Sequence, residues 1–350
     1  MLRATDTLKS MSMTTPSKPA VIADVARVAG VSVPTVSRVL TGAAKVSDGK
    51  RERVLAAIEE LNFRPSAAAR ALVARQPKIV AVLAGNTSQY GYAETIRGIE
   101  EGARAAGFVV SITVVESAED ESVDRAVDLV MAQSVAGVIV LKFDPPGVAA
   151  LHRLPKGIPT VSIAGVREKG VPQAVLDETA AASELTEYLL GLGHKTVYHV
   201  RVPPSRREDG RTTGWRKTLI AAGAEVPDVL DASWEPESGR GIGLELASRP
   251  EVTAIFCGND EIAMGVIRGY TQAGKSVPQD VSIVGFDDHP LASMWSPPLT
   301  TARQDFAGLG RRAYGLLEAV VTGTPVRSFS SERPSVIIRE SSAPPRAAPR

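Results

Sequence analysis

The 350-residue sequence holds a single cysteine, Cys257, and four histidines, His152, His194, His199 and His289, set far apart along the chain. One cysteine excludes a disulfide framework, and no Cys/His cluster has the spacing of a metal site. Aromatic residues make up only 5% of the chain, and no apolar run is long enough to span a membrane. The first 18 residues lack the apolar stretch of a secretory signal, so a cytoplasmic protein is expected. Nucleophile elbows and phosphate loops are also missing, and neither a metal nor a cofactor is expected.

The net charge of +1 conceals an asymmetry. Residues 1–19 carry +2, and residues 20–77 carry nine basic against five acidic side chains, for +4. Residues 78–350 carry 28 basic against 33 acidic side chains, for −5. A basic head on an acidic body points to a polyanionic partner for the head.

Within that head, VIADVARVA (residues 21–29) reads as a short helix with Ile22, Val25, Ala26 and Ala29 on one side. Gly30 breaks it. In VSVPTVSRVL (residues 31–40), Val33, Val36, Val39 and Leu40 recur at helical spacing, and Ser32 can cap the helix through its hydroxyl. Pro34 is tolerated in the first turn, where backbone N–H groups lack intrahelical partners. A third helix, KRERVLAAIEELNF, has Val54, Leu55, Ile58 and Leu61 as its apolar face. Three short helices with a glycine turn between the first two make a helix-turn-helix. As the second helix of that motif, VSVPTVSRVL enters the DNA major groove. Ser32, Thr35 and Ser37 are short enough to bond phosphates. Arg38 reaches a guanine edge in a bidentate pair worth roughly 1–3 kcal/mol of discrimination. Val33 and Pro34 can touch only a thymine methyl. An ordinary surface helix is the bland alternative. The segment SAAARAL (residues 66–72) is short and alanine-rich, a hinge that folds only when something holds it.

From residue 78 the pattern changes. Short apolar runs (KIVAVLAG, FVVSITVV, VAGVIVLK, PTVSIAG, TVYHVRV, TAIFCGND, VSIVGFDD) alternate with helical stretches such as ETIRGIEEGARAAG and DEIAMGVIRGYTQAG. Strand–helix alternation of this length predicts two doubly wound lobes with parallel sheets. Ligands in such folds sit beyond the carboxyl ends of the strands, which singles out Gly85-Asn86, Gly258-Asn259-Asp260 and Phe286-Asp287-Asp288. The adjacent Asp287, Asp288 and His289 raise an enzyme reading. It is set aside, because neighbours on an extended strand end point in different directions.

Residues 21–77 resemble the head of the LacI family of bacterial transcription regulators. The shared runs are D-V-A-x-x-A-G-V-S (Asp24–Ser32), T-V-S-R-V-L (Thr35–Leu40), V-S followed by R-E-R-V-L-A-A-I-E-E-L, and R-P-S-A-A-A-R-A-L. The likeness extends to about residue 340. It implies an all-α helix-turn-helix head plus an α/β body of two doubly wound parallel-sheet lobes, similar to periplasmic binding proteins. The expected layout is a disordered tail at 1–18, the head at 19–62, a hinge helix and linker at 63–77, the effector-binding and dimerisation body at 78–340, and a disordered tail at 341–350. The first lobe is expected at about 78–175 and 305–334, the second at about 176–304 and 335–340.

The resemblance further implies a homodimer reading a pseudo-palindromic double-stranded operator, with SAAARAL entering the minor groove. Leu72 falls where the family places a leucine wedge, with Ala69 and Arg70 lining the groove beside it. Lys45, in the loop after the second helix, joins the DNA-contacting set. A central C-G step, which kinks easily, is the expected operator centre. In the body, Arg211 sits where the family holds its effector, and Asn259 and Asp287 where it binds ligand hydroxyls. Trp234 falls where sugar-binding members stack an aromatic ring, and Gln304 at the crossover between lobes. Asn86, Gln89 and Tyr92 follow the first strand and face the same cleft. Ala164 occupies a family position for an acidic ligand residue, which removes one hydroxyl acceptor. The Pro/Ala/Arg segment after VIIRESS (residues 336–342) lacks heptads, so the oligomer is expected to stop at a dimer. The expected function is a repressor released from its operator by a sugar. The alternatives are a regulator whose nucleobase or sugar-phosphate ligand strengthens DNA binding, and a solute-binding protein of the transport type.

Overall fold

A computed structural model describes residues 20–41, 46–63, 77–167, 170–204, 209–325 and 328–346. The chain divides into two compact units, residues 1–77 and 78–350. The first contains three helices, α1 (Ile22–Val28), α2 (Val33–Thr41) and α3 (Asp48–Glu60). The Asp24 carboxylate accepts the Val21 N–H at the start of α1, satisfying one of the donors a helix end leaves open. Val25, Ala26, Ala29, Val36, Val39, Val54, Ala57 and Phe63 form a small core. The apolar faces are narrower than their spacing implied. Val33 and Leu40 on α2 are 40% and 37% exposed, and Leu55 on α3 is 52% exposed. A three-helix unit this small has one shared interior, so only the central residues of each stripe reach it.

In the second unit one parallel sheet has the order β11-β5-β4-β3-β1-β2. Its strands are β1 (Ile79–Ala84), β2 (Val109–Val114), β3 (Gly137–Leu141), β4 (Thr160–Ala164), β5 (Gln173–Leu176) and β11 (Phe329–Glu332). A second parallel sheet has the order β7-β6-β8-β9, from β6 (Tyr198–Arg201), β7 (Leu230–Asp231), β8 (Ala254–Cys257) and β9 (Ser282–Val284). An antiparallel pair, β10 (Thr301–Arg303) with β12 (Ser335–Ile337), joins the two lobes.

Both sheets are covered on both faces, which is why their strands read as unbroken apolar runs. Val80, Val82 and Ala84 of β1 face α4 (Tyr90–Ala105) and α11 (Phe306–Thr322). Ala81 and Leu83 face α5 (Asp120–Met131) and α6 (Pro145–Arg153). In the second lobe, Ala254 and Phe256 of β8 face α7 (Glu178–Gly191) and α8 (Gly210–Ala221). Ile255 and Cys257 face α9 (Pro236–Leu246) and α10 (Asp260–Gln272). Cys257 is therefore a core residue, and burial pushes its thiol pKa up, away from reactivity.

The tail expected to be disordered from residue 341 is not so at its start. Ser341 is fully buried, its carbonyl accepts the Ile283 N–H at 2.8 Å, and its hydroxyl donates to the Ile283 carbonyl at 2.6 Å. Ala343 exchanges bonds with the Ser282 hydroxyl and reaches His194 Nε2 at 3.0 Å. The backbone there satisfies the free edge of β9, a gain that Pro/Ala/Ser composition does not reveal.

Helices α9 and α10 touch backbone to backbone. A Cβ added at Gly265 would lie 2.0 Å from the Pro236 carbonyl oxygen, whereas one at Gly315, on α11, would meet nothing within 4 Å. Gly265→Ala should therefore destabilise by about 1–3 kcal/mol through overpacking. Gly315→Ala should be neutral or stabilising by up to about 1 kcal/mol. Urea denaturation midpoints of the two variants against the parent check both signs.

Candidate effector cleft and DNA-binding face

On the head, Ser32, Val33, Pro34 and Arg38 are exposed at α2, and Thr35 and Ser37 are half-buried. Val36 and Val39 take the opposite, buried side. The Ser32 hydroxyl pairs with the Thr35 hydroxyl at 2.9 Å, a side-chain partner in place of the backbone N–H the sequence suggested. The result is a short polar ridge with Arg38 in reach of solvent. Lys45, Ala69, Arg70 and Leu72 lie outside the described residues.

In the body, the loops after β1, β3, β4, β6, β8 and β9 open onto one cleft. It encloses about 950 Å³ of space free of atoms, part of which is open solvent at its mouth. Gln89, Tyr92, Arg211, Trp234, Asn259 and Asp287 all line it.

Arg211, at the start of α8, carries the densest set of contacts. One terminal nitrogen donates to the Gly258 carbonyl. The other donates to Glu178 Oε1 at 2.9 Å and lies 3.6 Å from Asp287 Oδ1. Its guanidinium also sits 4.6 Å from the centre of the Phe286 ring. Burial raises the Asp287 carboxyl pKa to about 7, against the pull of the Arg211 charge. Asp287 takes a left-handed φ of 113°, a strained backbone held by the bonds around it. Gln304 Nε2 donates to Asp287 Oδ1 at 2.7 Å.

Two expected cleft residues do other work. Asn86 is not part of the lining; its Oδ1 accepts the N–H groups of Ser88 and Gln89, forming the turn that starts α4. Gln304 stands behind Asp287 rather than on the cleft surface. Tyr92 lines the wall with its ring, but its hydroxyl donates to the buried Asp144 carboxylate. Burial raises the pKa of Asp144, opposed by that bond. Asn259 lines the cleft and also caps α10, its Oδ1 accepting the Ile262 N–H at 2.9 Å. Trp234 is half-buried, packed on the second-lobe core and bordering the cleft.

The sequence reading missed Glu178, Glu261, Lys142 and Asp209, which also line the cleft. Glu178 supplies the carboxylate that Ala164 lacks. A Cβ on Gly165, the residue after Ala164, would lie 2.4 Å from Glu178 Oε2. A glutamate at the first position of a helix gives no sequence signal of this role. Its α7 start beyond the end of β5 was the available clue.

The neighbouring trio Asp287, Asp288 and His289 has separate employments. Asp288 accepts from Arg303 and Arg339, both at 2.6 Å. His289 donates its N–H to Asp260, and its Nδ1 accepts the Leu291 N–H. No helix among the described residues is long and apolar enough to cross a membrane, and none of their His, Cys, Asp and Glu residues group as a metal site.

A helix-turn-helix unit with a separate two-lobed, ligand-sized cleft defines a ligand-responsive DNA-binding regulator. The model for bacterial regulatory proteins of the lacI family matches residues 21–66, and that for the periplasmic binding protein-like domain matches residues 186–342. The ribose operon repressor of Escherichia coli (strain K12) is 31% identical over 334 residues, covering 93% of this chain and all of that one. The lac repressor dimer crystallised with operator and the anti-inducer ONPF superposes with a TM-score of 0.86 at 29% identity, covering 93% of this chain and all of that one. The complex of the transcriptional regulator CelR with cellobiose superposes at 0.68 with 28% identity, covering 92% and 99%. The chain belongs to the lacI family of bacterial transcription regulators.

The raised Asp287 pKa has a thermodynamic sign. Between its ordinary 3.8 and about 7, the folded chain holds a proton that the unfolded chain has lost. The contribution of Asp287 to stability is therefore fully present below the lower value and falls as pH rises toward the upper one. Asp287→Asn should flatten that part of the stability–pH curve relative to the parent. Urea melts between about pH 4 and 8 read the difference.

Proposed function

We propose that the protein is a homodimeric repressor whose cleft binds a saccharide and thereby releases a pseudo-palindromic operator. The observation that carries this reading is the cleft itself: Trp234 offers a ring face beside the hydrogen-bonding groups of Arg211, Asn259 and Asp287. An aromatic platform beside planar polar groups suits the apolar face and hydroxyl edge of a sugar ring. The ribose operon repressor and the cellobiose complex of CelR support the same ligand class. A phosphorylated ligand is disfavoured, because carboxylates outnumber cations in the described lining.

On DNA, Arg38 reads a base edge from α2 while Ser32, Thr35 and Ser37 meet phosphates. Val33, exposed at the front of the helix, contributes apolar contact. Lys45 joins the phosphate contacts, and Ala69, Arg70 and Leu72 occupy the minor groove at a central C-G step. Dimerisation is supported by apolar side chains left exposed on the edge strand β2, Val109, Ile112 and Val114, and by Leu291 and Met294. The head and body act in the cytoplasm, where the operator is. No catalytic step is assigned, since Asp288 and His289 are engaged away from the cleft surface.

Thermal shift against mono- and disaccharides, sugar phosphates and nucleobases tests the ligand class. A saccharide at 100 times its dissociation constant should add about 2.7 kcal/mol of stability. Stabilisation by a nucleobase or phosphate alone would replace the reading. The same saccharide should weaken operator binding by about 5–150-fold, a coupling of about 1–3 kcal/mol. Arg38→Ala should weaken operator binding by about 1–3 kcal/mol while changing binding to random DNA far less. Fluorescence anisotropy on the two DNAs separates these, and equal losses would remove Arg38 as a base reader.

A further inference from the structure

The polar groups of the cleft are not balanced. Arg211 donates to Gly258 and Glu178 and lies beside Asp287. Asp209 accepts from the N–H and hydroxyl of Thr212, and Asn259 Oδ1 from the Ile262 N–H. Glu261 differs. It lines the cleft at the start of α10, and its Oε2 is buried with no hydrogen-bond partner among the described residues. Behind the cleft, Gln304 Oε1 is likewise buried and unpartnered. The unmet atom on the cleft lining, Glu261 Oε2, is an acceptor, so the complementary ligand brings a donor to it.

Charge points the same way. Besides Asp287, which burial holds protonated up to about pH 7, the described lining carries three carboxylates, Glu178, Asp209 and Glu261, against two cations, Lys142 and Arg211. Only one of these carboxylates, Glu178, receives a direct hydrogen bond from Arg211. A buried carboxylate oxygen without a partner is costly, and a neutral hydroxyl would fill its bonding position while leaving the charge excess. A protonated amine answers both. The Trp234 ring lines the same cleft and favours a cation near its face.

Building on the saccharide reading, we propose that the effector is an amino sugar whose protonated nitrogen is bound by Glu261. The remaining hydroxyls then fall to Asn259, Asp287 and the Trp234 ring face. Binding of a cation beside Asp287 also favours the ionised form of that carboxyl, which burial otherwise opposes.

The test is calorimetric titration of the full-length protein with D-glucosamine, D-galactosamine and D-mannosamine at about pH 6.5, where the amine is protonated. Each is compared with its parent hexose, its N-acetyl form and its 6-phosphate. At least one amine should bind about tenfold or more tightly than both neutral forms, and its phosphate should not bind. Glu261→Gln should erase that advantage, and Glu261→Asp, which keeps the charge, should retain part of it. The inference is overturned if a neutral form matches the amine in every series, if a phosphate binds best, or if no amine binds at about 50 mM. It is also overturned if Glu261→Gln leaves the preference intact. A neutral hexose that binds the parent at least as tightly as its amine in every series, and is lost in Trp234→Ala, would discard the amino sugar and keep the saccharide reading. Binding of no sugar of any charge would discard both.

Discussion

The cleft depends on one buried cation. Arg211 is held between Glu178 and Asp287, with Gly258 and the Phe286 ring completing its surroundings. A guanidinium removed from water requires compensation on this scale, since leaving one member of such a group unpaired costs about 3–5 kcal/mol. The partners come from separate places: the start of α7, the end of β8 and the loop after β9. The group therefore ties three segments of the second lobe at the cleft floor. It also keeps Asp287 in a backbone conformation that few non-glycine residues adopt. The same network also draws two carboxyl groups, Glu178 and Asp287, to the floor.

Asp287 and Asp288 divide two tasks between adjacent residues. Asp287 borders the cleft, while Asp288 holds Arg303 on β10 and Arg339 just past β12. Those two strands form the antiparallel pair by which the chain passes between lobes. One short loop therefore touches both the ligand site and the crossover. Coupling between an effector and a distant site needs an element that both can bias, and this loop is placed to be one.

Much of the architecture was legible because its signals are local. The runs KIVAVLAG, VAGVIVLK and TAIFCGND became β1, β3 and β8, since strands covered on both faces must be apolar at every position. The short strands β5, β7, β10, β11 and β12 were not delimited. Strands of two to four residues are too short to show an apolar run or alternation that separates them from loop. In the cleft, Asn259 and Asp287 were found because they follow strand ends, and Arg211 through the family resemblance. Asn86 follows one too, yet its side chain closes a turn, a choice set by the geometry of the neighbouring N–H groups.

The sequence by itself determined the family, the three-helix head with Arg38 on the outer side of α2, and the alternating strands and helices of the body. These follow from periodicity and from motifs contiguous in the chain. The tertiary structure alone decided which carboxylates share the cleft. Ala164 removes an acceptor from its own strand, and Glu178 restores one from the next helix, across Gly165. It also decided that Glu261 is left with a buried, unpartnered oxygen while both carboxylate oxygens of Asp288 accept from arginines. Residue type and spacing carry neither fact, because pairing in a low-dielectric interior depends on distances between segments that are remote in sequence.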